Sequence, residues 1–102
     1  MEKKGPGAKK EKSRVIVKRR IKIKNPQGLH ARPASVFVKI ANKYEAQITV
    51  KKSGESVNGK SIMGLMTLAA NQGSVLDIEA SGDDADKAMQ ELERFLTNDK
   101  ND

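Results

Sequence analysis

From Val15 the chain alternates between apolar and charged residues. Val17, Ile21 and Ile23 share one phase of a two-residue repeat, and Lys18, Arg20, Lys22 and Lys24 share the other, which predicts a strand with one wet face. The turn residues Asn25-Pro26-Gln27-Gly28 end it. Beyond them Ala34, Phe37, Val38 and Ala41, flanked by Ile40 and Tyr44, recur at helical spacing and predict a helix over residues 31–43. Ala46, Ile48 and Val50 alternate again, "KSGE" (52–55) reads as a hairpin turn, and Ser56 to Asn58 return as a short strand that Gly59-Lys60 breaks. Ser61 is then placed to cap a short helix weakened by Gly64, with Ile62, Leu65 and Met66 on one side. If Leu65 and Met66 face the core, Met63 is exposed. After Asn71-Gln72-Gly73, the residues Leu76, Ile78 and Ala80 alternate with Val75, Asp77 and Glu79 as a fourth strand. Asp83 or Asp84 caps a last helix whose Ala85, Ala88, Met89, Leu92, Phe95 and Leu96 form one apolar stripe.

The predicted order is β-α-β-β-α-β-α, in which every strand has one apolar face. A single sheet covered by helices on one side, an α+β open-faced sandwich, satisfies that pattern. At 102 residues there is room for one domain, and aromatics at 3% leave the core to Ile, Val, Leu, Met and Ala. The absence of Cys excludes disulfides and thiolate metal sites, and one His with scattered carboxylates offers no transition-metal cluster. No apolar run reaches the length of a membrane span or a signal-peptide core, so a cytoplasmic protein without membrane insertion is expected.

The formal charge of +7 resolves into two unequal parts. Residues 1–20 carry nine Lys or Arg and two Glu, net 9 − 2 = +7, whereas residues 21–102 carry eleven of each sign, net 0. The basicity belongs to the N-terminal arm. Residues 1–14 are low in complexity and too polar to offset their ordering entropy, and they read as a disordered, solvated leader before a domain over 15–102. With a neutral domain and few aromatics, nothing beyond non-specific nucleic-acid binding through the leader is expected.

The single histidine lies in "NPQGLHARPAS", residues 25–35. A lone His before a helix is ordinarily a solvated capping residue. Here Pro33 falls in the predicted first turn, where its missing N–H costs nothing. The free N–H groups near Ala31 and Arg32 and the helix dipole then suit a phosphate-sized anion beside the imidazole. Arg32 adds a planar fork that can hold two phosphoryl oxygens. No triad motif and no Gly-rich phosphate loop is present, which leaves His30 as a covalent phosphoryl acceptor, fitted to carriage rather than to full catalysis.

"GLHARPAS" around His30, "NGKSIMGLM" around Ser61 and the order of elements resemble the HPr family of histidine-containing phosphocarriers of the bacterial sugar phosphotransferase system, over about residues 16–98. The resemblance implies a four-stranded antiparallel sheet covered on one side by three helices. It implies that His30 takes a phosphoryl group from phospho-enzyme I, through Nδ1 as a pros-phosphohistidine, and passes it to IIA domains of sugar permeases. Arg32 matches the arginine that steadies the phosphate. Ser61 matches the serine that an ATP-dependent HPr kinase/phosphorylase modifies in gram-positive-type members, which serves carbon catabolite control through a transcription regulator. Ile62 and Met63 are expected to form a docking patch beside His30 by the same resemblance, the bland alternative for Met63 being a core position. A monomeric transfer intermediate is implied, without cofactor or metal and without enzymatic turnover of its own.

Overall fold

The computed structural model describes residues 15–98. The predicted leader, residues 1–14, and the last four residues of the predicted domain lie outside them. The elements run β1 (Ile16–Lys22), α1 (Ala31–Ala41), β2 (Gln47–Lys52), β3 (Glu55–Asn58), α2 (Ile62–Thr67), β4 (Val75–Ser81) and α3 (Ala85–Leu96). The sheet order is β1-β4-β2-β3 with every neighbouring pair antiparallel. The expected four-stranded open sandwich is therefore the fold observed.

Register explains why one face is dry. Val17 lies opposite Ala80, which faces Ile48 across β4, and Ile78 faces Val50 in the next inward row. Ile48, Val50, Leu76, Ile78 and Ala80 are all fully buried beneath Phe37 of α1, Leu65 of α2 and Met89 and Leu92 of α3. Each Ile, Val and Leu of this set contributes roughly 1.5–3 kcal/mol by leaving water, and together they fix the strand register, since a one-residue slip would turn the set outward. The other face carries Lys18 beside Glu79 and Arg20 beside Asp77. Arg20 Nε donates to Asp77 Oδ1 at 2.9 Å. Arg19 falls in the inward phase of β1, opposite Ile78, and escapes to the rim, where its guanidinium meets Glu93 of α3 at 2.9 Å.

Three local expectations are corrected. The first helix stops at Ala41, not at residue 43: the Asn42 N–H still donates to Val38, but the Lys43 and Tyr44 N–H groups bond only three residues back, tightening the chain into a turn. Met66, expected to face the core, is 45% exposed. In a helix of six residues the inward line runs through Leu65 and Leu68, three apart, and Met66 is rotated off it. Asp84 does occupy the N-cap of α3, yet makes no side-chain cap bond. Its carboxylate instead accepts the N–H groups of Glu45 and Ala46, both at 2.9 Å, and fastens the α1–β2 connection.

Beyond Lys22 the chain keeps strand-like bonding without being β1. The Ile23 N–H donates to Ser74 and the Gly73 N–H returns to Ile23. The N–H groups of Lys24 and Asn25 then both donate to the Leu96 carbonyl at the end of α3. These bonds hold the 25–30 turn in place, and that turn leads into the candidate site.

Candidate functional site

The turn after β1 is built on Asn25, whose buried side chain accepts the Gln27 N–H at 3.1 Å while its carbonyl accepts the Gly28 N–H. Gly28 has φ +63, and a Cβ there would stand 2.5 Å from the Ala70 carbonyl oxygen. The absent side chain lets two loops touch. Immediately beyond, the Leu29 N–H donates to that Ala70 carbonyl at 2.8 Å. The segment that follows α2 is thereby laid against the entry to α1.

His30 is the N-cap of α1, as the sequence predicts, with extended backbone and no side-chain cap bond. Its carbonyl accepts the Ala34 N–H. The N–H groups of Ala31 and Arg32 precede the first intrahelical donor, and Pro33 brings none, so this end of the helix presents two amide donors and the positive end of its dipole. The imidazole is free to do something other than cap because Pro33 and Ala34, both buried, anchor the first turn by packing. His30 and Arg32 are exposed and border a shallow concavity with Pro26, Gln27, Asn71 and Gln72. Arg32 has no ion-pair partner among the described residues, so its guanidinium is available to an anion.

Sequence reasoning missed Asn71. Its Oδ1 lies 3.0 Å from His30 Nε2, across 41 residues of chain. The motif "NQG" signalled only a turn. Asn71 is itself held at both backbone groups: its N–H donates to Ser74 Oγ at 3.0 Å, and its carbonyl accepts the Ser74 N–H at 2.9 Å. Two residues earlier, Ala69 takes φ +50, a left-handed conformation unusual for a residue with a side chain.

Ser61 is the N-cap of α2, and its hydroxyl accepts the Gly64 N–H at 3.0 Å. Ile62 is 40% and Met63 75% exposed, so the core alternative for Met63 does not hold. With Met66 they give α2 three exposed apolar side chains on six residues. The chain leaving α2 passes through Ala70 to Asn71, so a single short segment links the Ser61 cap to the histidine.

Fold and site together define a small α+β sandwich with an accessible histidine at a helix N-terminus, beside an arginine. Residues 17–98 match the family model described as PTS HPr component phosphorylation site. The chain is 42% identical over 81 residues to the HPr-like protein Crh of Halalkalibacterium halodurans, covering 79% of this chain and 96% of that one. It is 44% identical over 77 residues to the phosphocarrier protein HPr of Neisseria meningitidis, covering 76% and 86%. The crystal structure of a phosphocarrier protein HPr from Bacillus anthracis superposes with a TM-score of 0.78 at 41% identity, over 80% of this chain and 98% of that one. The chain belongs to the HPr family of the phosphotransferase system. Among the described residues no helix is long and apolar enough to cross a membrane.

Proposed function

We propose that this chain carries phosphoryl groups in the cytoplasm from phospho-enzyme I to the IIA domains of sugar permeases, on Nδ1 of His30. The observation that carries the reading is the exposed imidazole at the N-cap of α1, beside the exposed Arg32 and the two amide donors of the first turn. A transferred phosphoryl group adds anionic oxygens at that place, and a bidentate guanidinium with the positive end of a helix offsets their charge. In this reading the chain is a stoichiometric intermediate that must hold its cargo and not hydrolyse it. The carrier works as a monomer in this reading.

Ser61 is the second phosphorylation site in this reading, the target of an ATP-dependent HPr kinase/phosphorylase. A phosphate at the N-cap of α2 is locally favourable, so it acts on what docks there and not by melting the helix. Ile62 and Met63 form the docking surface, which a negative group at Ser61 makes less welcoming to an acidic partner and recognisable to a catabolite control regulator.

A second reading makes this chain a regulatory protein in which Ser61 matters and sugar transport does not, and its support is the 36% identity to Crh, the Bacillus subtilis catabolite repression HPr. Incubation with phosphoenolpyruvate and enzyme I, followed by intact mass, separates the two. The carrier gains one acid-labile, alkali-stable phosphoryl group that His30→Ala abolishes. No gain in the wild type, or an unchanged gain in His30→Ala, overturns the carrier assignment.

A further inference from the structure

We propose that Asn71 is a positioning residue for His30: its side-chain oxygen holds the ring proton on Nε2 and leaves the lone pair on Nδ1. This deepens the phosphocarrier reading and rests on it for the transfer step alone. The amide oxygen is an acceptor only, so a ring nitrogen 3.0 Å from it must be the donor. In a neutral imidazole one nitrogen carries the proton and the other the lone pair. The contact therefore selects which nitrogen can attack.

The site is preorganised for that contact. Ser74 clasps both backbone groups of Asn71, Ala70 is bonded to Leu29 next to the histidine, and Ala69 accepts a left-handed conformation where the chain leaves α2. Strain of this kind persists only where the surroundings over-determine it. In the transfer step the Nδ1 lone pair forms a bond to phosphorus. The bond from phosphorus to its atom on phospho-enzyme I breaks, and that pair stays with the donor atom. The proton remains on Nε2 throughout. The ring becomes cationic, and its hydrogen bond to Asn71 becomes charge-assisted and stronger. Asn71 thus steadies the phosphorylated state more than the free one, and release to a IIA domain reverses the same steps.

The test uses the full chain labelled with nitrogen-15 and the long-range proton–nitrogen spectrum of the ring, at a pH where the imidazole is neutral. Wild type is expected to show a pyrrole-type Nε2 and a pyridine-type Nδ1. In Asn71→Ala both signals move toward each other as the tautomers mix, and in Asn71→Asp, which keeps an oxygen acceptor, they stay apart. With enzyme I, Asn71→Ala lowers kcat for phosphoryl transfer roughly tenfold, as expected for losing one hydrogen bond to a charged group, with KM for enzyme I unchanged. Asn71→Asp restores much of it. Unchanged ring signals in Asn71→Ala, or a proton found on Nδ1 in the wild type, overturn the proposal. A wild type that accepts no phosphoryl group overturns the carrier reading instead, and the ring spectrum still decides the role of Asn71.

Discussion

Replacing Gly28 by alanine tests the loop contact on which the site is built. Two costs add at this position. The residue sits at φ +63, and an L side chain in the left-handed region costs about 1–2 kcal/mol. The new Cβ would also lie 2.5 Å from the Ala70 carbonyl oxygen and 2.9 Å from Asn71 Cα, both backbone atoms that no side-chain rotation can move aside. Restoring ordinary contact means displacing the Ala70–Asn71 segment, which breaks the 2.8 Å bond from the buried Leu29 N–H. An orphaned buried donor costs about 1–3 kcal/mol. The sum is roughly 2–5 kcal/mol, a large share of the stability of a domain this size. Gly73→Ala is the control, because Gly73 has an even larger φ of +93 and nothing within 4 Å of its missing Cβ. Torsion alone makes that variant no less unstable than Gly28→Ala, so any excess in Gly28→Ala reports the clash. Urea unfolding of both variants measures the difference, and the ring spectrum of His30 in Gly28→Ala shows whether Asn71 has moved away. Equal losses in the two variants, or an undisturbed histidine in Gly28→Ala, would refute the view that contact between these loops assembles the site.

His30→Ala is expected to leave urea stability within about 1 kcal/mol of wild type, because the exposed side chain makes no cap bond. Arg32→Lys should slow phosphoryl transfer in a rapid-quench assay while the fold stands, since a point charge cannot replace a planar fork. Ser61→Ala should lose about 1 kcal/mol of stability with its cap, whereas Ser61→Asp should fold normally and accept phosphoryl groups from enzyme I more slowly; wild-type kinetics in Ser61→Asp would reduce Ser61 to a cap. The Asp84 carboxyl is held below its usual range by the N–H groups of Glu45 and Ala46, and Glu91 by Lys43 and the Tyr44 hydroxyl. Their contribution is present above the unfolded-state carboxylate range and is lost as pH falls through the depressed values, so acid unfolding should be shallower in Asp84→Asn than in wild type.

What could be read in advance was local. Alternation in Val17, Ile21 and Ile23 and in Leu76, Ile78 and Ala80 gave strands and their inner faces, because burial on one side of a sheet imposes period two directly on the sequence. Pro33 two residues after Ala31 marked the start of α1 for a reason intrinsic to its ring, and that placed His30 at the cap. The short α2 was harder: six residues span less than two turns, too few for a stripe to declare itself, and Met66 was assigned to the wrong side. Asp84 shows a different limit. Its sequence position predicts a cap, yet two amides from the α1–β2 connection compete for the same carboxylate, and tertiary contact prevails over local preference.

Asn71 marks where local reading ends. Nothing in "NQG" distinguishes an asparagine that terminates a turn from one that aims an oxygen at a ring 41 residues away. The distinction arises because Gly28 lets the Ala70 carbonyl approach, Leu29 bonds to it, and β4 cannot begin until Ser74 has closed the turn on Asn71. The same loop is the exit from α2, whose N-cap is Ser61 and whose exposed face carries Ile62 and Met63. A charge placed on Ser61 thus acts on a helix joined through three residues, Leu68 to Ala70, to the group that holds the imidazole. If the serine communicates with His30 through the protein and not only through the docking surface, Ser61→Asp alters the ring signals of His30 with no partner present. Unchanged ring signals with slowed transfer would assign the whole effect to docking.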